Sequence, residues 1–130
     1  MSLEVEAPGD DVLAFLAERH LATLTTLRRD GSPHVVPVGF TYEPATRLVR
    51  VITSGTSVKA RNAARAGAIG AVCQVDRARW LTLSGPVRVV DDRAAVAEAE
   101  RRYAERYRQP RPNPARVVLM IEVTEILGRG

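Results

Sequence analysis

The sequence predicts a mainly β fold of the α+β type, a six-stranded antiparallel split β-barrel with flanking short helices, as one domain spanning residues 1–130. Six short segments alternate apolar and polar residues between turn-forming residues, as half-buried strands do, and only three segments have helical spacing. A length of 130 residues suits one hydrophobic core. Six strands in so short a chain must protect their edges, and a closed or split barrel does this with few residues.

The first half of the sequence predicts one helix followed by a three-stranded meander. Asp10 or Asp11 is suited to cap a helix that runs to about Arg19, with apolar residues at helical spacing. The turn residues Arg-Asp-Gly-Ser at 29–32 and Glu-Pro-Ala-Thr at 43–46 separate the strands that follow. These strands are predicted at residues 21–27, 34–42 and 47–53.

The second half predicts a short helix, two strands, the longest helix and a last strand. Gly67 is placed to end the short helix, and Asp91 or Asp92 is placed to cap the long one. Gly85 and Pro86 indicate a bulge or an edge in the fifth strand. The helices are expected at residues 58–66 and at 93 to about 108, and the strands at residues 68–75, 79–90 and 117–124.

The composition argues against several classes of protein. The net charge is +4, but the cations are interspersed with acidic residues and only 5% of residues are aromatic, so no nucleic-acid partner is expected. No apolar run approaches the roughly 18–20 residues of a membrane span, and no signal-peptide pattern occurs, so no membrane partner and a cytoplasmic location are expected. No metal is expected, because His20 and His34 lack partners at ligand spacing, and Cys73 is predicted to be a small buried residue.

The turn at residues 54–57 and the helix start after it form a possible anion site. Free N–H groups of the first helical turn and the hydroxyls of Thr56 and Ser57 would donate to an oxyanion. Lys59, the only lysine among 19 basic residues, and Arg61 lie where the helix dipole disfavours a cation unless an anion is present. The residues alone leave open that Thr56 or Ser57 is merely the helix cap and that both cations are solvated.

A proline-rich loop after the long helix carries further arginines. Arg108, Arg111 and Arg116 bracket this loop, and a guanidinium suits bidentate pairing with a carboxylate or a phosphate. They are candidates for binding an acidic substrate, with solvated surface charge as the alternative.

Several motifs together resemble the pyridoxamine-phosphate-oxidase-like split-barrel family over about residues 10–127. The motifs are TLTTL at 23–27, DGSPHVVPV at 30–38, RVIT at 50–53 and SVKARN at 57–62. The further motifs VCQVD at 72–76, ARWL at 78–81 and especially RYRQPRPNP at 106–114 look like the actinobacterial branch that uses the deazaflavin coenzyme F420. That branch includes biliverdin reductases.

The resemblance implies an FMN-binding type of split barrel, a homodimer with cofactor sites at the subunit interface, and a set of site residues. The third predicted strand would contact the cofactor through the backbone of Arg50, Val51, Ile52 and Thr53. Ser57 and Lys59 would bind the phosphate. Asn62 would support that turn, and Gln74 and Trp80 would border the ring, Trp80 from the other subunit. Arg108, Arg111 and Arg116 would bind either substrate carboxylates or the acidic cofactor tail.

The function implied by the resemblance is hydride transfer from reduced F420 to a conjugated small-molecule acceptor, with biliverdin as the first choice and bilirubin as its product. No catalytic side chain is assigned, because the reduced cofactor supplies the hydride and the protein supplies orientation. Two alternatives stay open. One is an FMN-dependent enzyme on the same fold, including a pyridoxamine phosphate oxidase, and the other is an F420- or flavin-binding protein without catalysis.

Overall fold

The computed structural model describes residues 2–129, which form three α-helices and nine β-strands. The helices are α1 (Asp10–Ala17), α2 (Val58–Ala63) and α3 (Arg93–Arg106). The strands are β1 (Ser2–Leu3), β2 (Ala22–Leu27), β3 (Pro33–Val38), β4 (Thr41–Glu43), β5 (Leu48–Ser54), β6 (Ile69–Asp76), β7 (Arg79–Val90), β8 (Arg116–Glu122) and β9 (Glu125–Arg129). All their pairings are antiparallel, so the prediction of a mainly β fold with short helices is confirmed. In this part of the chain, no helix combines the length and the apolar character that crossing a membrane requires.

The predicted number of six strands is wrong. The strand expected at residues 34–42 breaks at Gly39 into β3 and β4. A Cβ atom on Gly39 would lie 3.0 Å from ring carbons of both Tyr103 and Tyr107, so α3 packs against bare backbone at this break. The strands β1 and β9 were not predicted; β1 has only two residues, and β9 pairs with β7 and β1 in the folded chain.

The long strand β7 joins the two halves of the sheet. The strand order is β3-β2-β6-β7-β8-β5-β4, and β9 pairs with β7 and β1. Residues 80–84 of β7 pair with β9, whereas residues 87–90 pair with β8. Between these two stretches, a Cβ atom on Gly85 would lie 1.9 Å from the carbonyl oxygen of Glu122. The predicted bulge or edge at Gly85 is therefore the position where the turn between β8 and β9 packs directly against the backbone of β7.

The sheet is open, because its end strands β3 and β4 are not paired with each other within residues 2–129. Its concave side is filled by the chain's own side chains, as expected for a small barrel-like sheet. The largest fully buried apolar side chains are Phe15, Phe40, Leu24, Leu81, Leu83, Leu119, Ile121 and Ile126. A second, smaller cluster of Ala99, Val118 and Met120 lies beneath α3. A large ligand must therefore bind outside this core.

Candidate functional site

A cleft of about 650 Å³ lies between the end of β3, the far end of β5 and the loop that follows α3. This volume lies within the range of about 300–1,000 Å³ that is typical of small-molecule sites. The lining residues are Pro37, Val38, Gly39, Ile52, Thr53, Ser54, Lys59, Tyr103, Arg108, Gln109, Pro110, Arg111, Asn113 and Arg116. The tertiary structure thus gathers Ile52, Thr53 and Lys59 with the three arginines that the sequence singled out.

One wall of the cleft is the free edge of β5. On one side, β5 pairs with β8 over its whole length from Leu48 to Ser54. On the other side, β4 pairs only as far as Arg50, so residues 51–54 have no strand partner there within the described chain. Backbone N–H and C=O groups on an unpaired strand edge must find other partners. This edge is therefore suited to bind a ligand through its backbone, as the sequence predicted for this strand.

The side chains of the same strand have other roles. Val51 is buried in the core. Arg50 turns away from the cleft, because its guanidinium lies 2.9 Å from the carboxylate of Glu43. The side chains of Ile52 and Thr53, in contrast, are only partly buried, and both line the cleft. Only the backbone contribution that was predicted for Arg50 and Val51 is compatible with this geometry.

Lys59 is the cation at the floor of the cleft, in the first turn of α2. Its side chain is partly buried and has no ion-pair partner among residues 2–129. Ser57 is the N-cap of α2, and its hydroxyl oxygen accepts a hydrogen bond of 3.2 Å from the backbone N–H of Ala60. The hydroxyl of Thr53 donates a second hydrogen bond of 3.1 Å to the same oxygen. Ser57 retains only its hydroxyl proton for a ligand, whereas the whole ammonium group of Lys59 is free.

Asn62 supports α2 from beneath and does not line the cleft. Its amide donates a hydrogen bond of 3.0 Å to the hydroxyl of Thr26 in β2, and its carbonyl oxygen accepts one of 2.7 Å from Arg65. Both Asn62 and Thr26 are buried. Because a buried polar pair of this kind fixes the helix against the strand, the predicted supporting role of Asn62 agrees with its position.

Arg116 lines the cleft, but its charge already has a partner within the described chain. Its side chain is only 10% exposed, and its guanidinium lies 2.6 Å from the carboxylate of Glu100 on α3. It also donates a hydrogen bond of 2.7 Å to the carbonyl oxygen of Arg111. Its charge is thus neutralised, and it shapes the loop. Arg108 and Arg111 instead are exposed, and their side chains have no partner within the described chain.

Gln74 and Trp80 lie outside the cleft. Gln74 is fully buried, and its amide donates a hydrogen bond of 2.8 Å to the carbonyl oxygen of Phe15. Its own carbonyl oxygen accepts one of 2.6 Å from Arg106. The position of Gln74 beside the cofactor ring stays a prediction, and its inward-facing side chain on β6 has no exposed surface in the described chain. Trp80 is in β7, where it pairs with Val75 and Arg129, and it is remote from this chain's own cleft.

His20 has carboxylate partners that the sequence did not predict. Its Nε2 atom lies 3.0 Å from Glu18 and 3.9 Å from Asp76. The guanidinium of Arg79 contacts both carboxylates, at 2.9 Å and 2.6 Å. A hydrogen bond from Arg79, which has the larger effect, and one from His20 lower the pKa of Glu18 from 4.5 to about 2. The expectation that His20 lacks such partners is wrong: Glu18 lies two residues before it, and β6 brings Asp76 beside it only in the folded chain.

The outward face of β3, β2 and β6 carries no charged side chain between the strand ends. Alternating residues along these strands point outward, and several are large and apolar. Val35, Ile69 and Val75 are 54%, 60% and 59% exposed, and Leu27 is 48% exposed. Cys73 lies on the same face and is partly exposed, so the expectation that it is buried is wrong. Thr23 and Thr25 of β2 lie between these apolar side chains, and an uncharged face with several exposed large apolar residues is typical of a surface that binds another protein.

Residues missed by the sequence reasoning complete the cleft. Gly39, Tyr103 and Asn113 line it, although none was named as a candidate. The only signal for Asn113 was its place in the proline-rich motif. Tyr103 lies within the predicted long helix, and helical spacing does not distinguish a residue that lines a cleft from one that packs in the core. Gly39 was placed inside a continuous strand, so the break that exposes it could not be recognised.

Comparisons with known proteins agree with this geometry. Residues 9–130 match the family described as pyridoxamine 5′-phosphate oxidase. One relative, described as an F420H(2)-dependent biliverdin reductase from Mycobacterium tuberculosis (strain CDC 1551 / Oshkosh), is 60% identical over 120 residues. These residues are 92% of this chain and 87% of the relative.

Two solved structures show the same fold. One, described as an F420 reductase, has a TM-score of 0.71 at 24% identity and covers 88% of this chain and 94% of its own. The other is a pyridoxamine 5′-phosphate oxidase-related, FMN-binding protein from Nostoc punctiforme, with a TM-score of 0.68 at 18% identity. It covers 92% of this chain and 82% of its own.

Proposed function

Because the chain belongs to the pyridoxamine 5′-phosphate oxidase family, we propose that it is an oxidoreductase that binds coenzyme F420 and reduces biliverdin to bilirubin. The observation that carries this proposal is the 60% identity, over 92% of the chain, to a protein described as an F420H(2)-dependent biliverdin reductase. Family membership confirms the resemblance that the sequence motifs indicated. The proposal keeps the cytoplasmic location expected from the sequence.

The chemistry of the cleft fits a deazaflavin that carries a phosphate and an acidic tail. The free edge of β5 offers backbone donors and acceptors to a planar heterocycle or to its hydroxylated side chain. Lys59 offers an unpaired ammonium group to the phosphate. Among residues 2–129 no acidic side chain lines the cleft, and Arg108 and Arg111 add two further cations without partners there. A ligand with several negative charges is therefore attracted to this site.

The chain's own residues bind and orient the reactants. When bound, reduced F420 supplies the hydride. The edge of β5 and Lys59 fix one reactant along the wall of the cleft, and the loop after α3 forms the opposite wall. A conjugated acceptor with carboxylate groups is held by Arg108 and Arg111. Holding two reactants at a fixed separation is a large part of catalysis when the protein supplies no nucleophile.

The same cleft also fits FMN, which is the cofactor named for one structural neighbour. Titration of the purified protein with F420 and separately with FMN, followed by addition of biliverdin to each reduced complex, distinguishes the candidates. We expect F420 to bind more tightly and its reduced form to convert biliverdin to bilirubin. Binding of FMN alone would replace the proposal with an FMN-dependent enzyme. Tight F420 binding without turnover of any acceptor would indicate a carrier protein.

A homodimer through the outward face of β3, β2 and β6 is part of the proposal. Val35, Ile69 and Val75 expose more than half of their surface on a face without charge, although 26% of the residues are charged. A second copy of this chain is the occupant that the family resemblance implies, and it would bury this apolar area. The predicted contact of Trp80 with a cofactor ring then requires the second copy, because Trp80 is remote from the cleft of its own chain.

A further inference from the structure

The loop of residues 108–112, which carries Arg108 and Arg111, is fixed at its start by Tyr107. The Tyr107 hydroxyl donates a hydrogen bond of 2.7 Å to the carbonyl oxygen of His20 and accepts one of 3.2 Å from the backbone N–H of Phe40. These partners lie 87 and 67 residues away in the sequence. The Tyr107 ring also packs on Gly39. The loop therefore begins at a fixed distance from the break between β3 and β4, which also borders the cleft.

The end of the loop is fixed by Asn113. Its amide donates a hydrogen bond of 2.9 Å to the hydroxyl of Ser54 at the end of β5, and its carbonyl oxygen accepts one of 3.0 Å from the backbone N–H of Ala115. A backbone hydrogen bond of 2.9 Å from Gly55 to Ala115 reinforces this connection. The loop thus crosses the cleft from the β3–β4 break to the end of β5.

The backbone between these two connections is stiff. Pro110 and Pro112 each restrict φ to about −65°. The carbonyl oxygen of Arg111 accepts a hydrogen bond of 2.7 Å from Arg116. The side chains of Arg108 and Arg111 remain exposed and unpaired within residues 2–129. Two cations on a fixed loop lose less conformational entropy on binding an anion than two cations on a mobile loop.

We propose that Tyr107 and Asn113 are positioning residues that hold the loop across the cleft, so that Arg108 and Arg111 form a preformed binding wall for the carboxylates of the hydride acceptor. This inference rests on the proposed function for the identity of the acceptor. Neither side chain is a catalytic residue. Tyr107 acts through the loop, and Asn113 acts through its connection to Ser54 at the end of β5.

The variants Tyr107→Phe and Asn113→Ala test this inference in the full-length protein. Tyr107→Phe retains the ring that packs on Gly39 and removes only the hydroxyl. We expect each variant to raise KM for biliverdin by about three- to tenfold, with little change in kcat, because each loses hydrogen bonds that fix one end of the loop. The dissociation constant for F420, measured by fluorescence, should stay within about twofold, because Lys59 and the backbone of residues 51–53 are not contacted by either side chain. Tyr42→Phe is the matched control, since it removes a partly buried tyrosine hydroxyl outside the cleft.

Two further measurements separate positioning from a loss of overall stability. Hydrogen–deuterium exchange of residues 106–116 should accelerate in both variants while that of β6 and β7 does not. Biliverdin dimethyl ester, which lacks the two carboxylates, should bind the wild type and both variants equally. An unchanged KM for biliverdin, equal weakening of F420 and biliverdin, or unchanged exchange in the loop would overturn the inference. Failure of the wild type to bind F420 would instead overturn the proposed function. In that case, measurements of biliverdin binding and of hydrogen exchange in the wild type and both variants would still test the role of the loop.

Discussion

Arg106 donates a hydrogen bond of 2.6 Å to the side-chain oxygen of Gln74, 32 residues away in the sequence. The same guanidinium donates one of 2.8 Å to the carbonyl oxygen of Glu18 at the end of α1. Burial lowers the pKa of Arg106, and its hydrogen-bond acceptors are neutral oxygens of the backbone and of Gln74. This pair connects α1, β6 and the end of α3, from which the loop across the cleft begins.

We expect Gln74→Leu to lower the free energy of unfolding by about 1–3 kcal/mol, because it leaves one buried Arg106 donor without a partner and removes the side-chain hydrogen bond to the carbonyl oxygen of Phe15. Urea-induced unfolding measures the change. Gln109→Leu is the control, since Gln109 is exposed. A loss of less than about 0.5 kcal/mol for Gln74→Leu, within the range of ordinary surface substitutions, would contradict the role given to this pair.

Replacing Lys59 with alanine should weaken F420 binding by about 1.5–3 kcal/mol, the contribution of a hydrogen bond to a charged group. The physical reason is the loss of an ammonium group that lines the cleft and has no ion-pair partner among residues 2–129. Fluorescence titration with F420 gives the dissociation constant. Arg61→Ala removes a neighbouring exposed cation that does not line the cleft, and it should change the affinity much less. Equal weakening of F420 binding by both substitutions would indicate that the cofactor is attracted by the overall positive charge and not by a specific contact with Lys59.

Substitution of Val35 or Ile69 by glutamate should convert the proposed homodimer to a monomer, because a carboxylate in an apolar interface loses its hydration. Size-exclusion chromatography with light scattering measures the molar mass. Ala94→Glu places the same charge on exposed α3, away from this face, and should leave the dimer intact. A wild-type protein that is monomeric at all concentrations would reject the dimer directly.

The stability of the protein should fall as the pH decreases from 4.5 towards 2. In the folded state the pKa of Glu18 is lowered from 4.5 to about 2 by hydrogen bonds from Arg79 and His20. The contribution of its carboxylate is therefore present above the unfolded pKa and is lost as the pH falls through the folded one. Thermal unfolding across this range should show a smaller pH dependence for Glu18→Gln than for the wild type. Glu125→Gln, at an exposed residue without an ion pair in the described chain, should keep the wild-type slope.

The local sequence determined which segments become strands and helices and where the phosphate-binding candidate lies. Alternation of apolar and polar residues identified six segments that cover seven of the nine strands, and Lys59 was recognised as a cation at a helix start. Ser57 is the helix cap, which was the alternative left open. These features depend on neighbouring residues, and propensities and spacing report such local interactions well.

Only the tertiary structure decided which of these residues face one another. Alternation places Gln74 on one face of β6, but the strand order makes that face the interior and brings Arg106 to it. Arg116 was indistinguishable from Arg108 and Arg111 until α3 brought Glu100 beside it. The cleft itself combines residues 37–39, 52–59 and 103–116, which are distant in the sequence. A side chain's partners across such separations depend on strand order and helix packing, which no local pattern specifies.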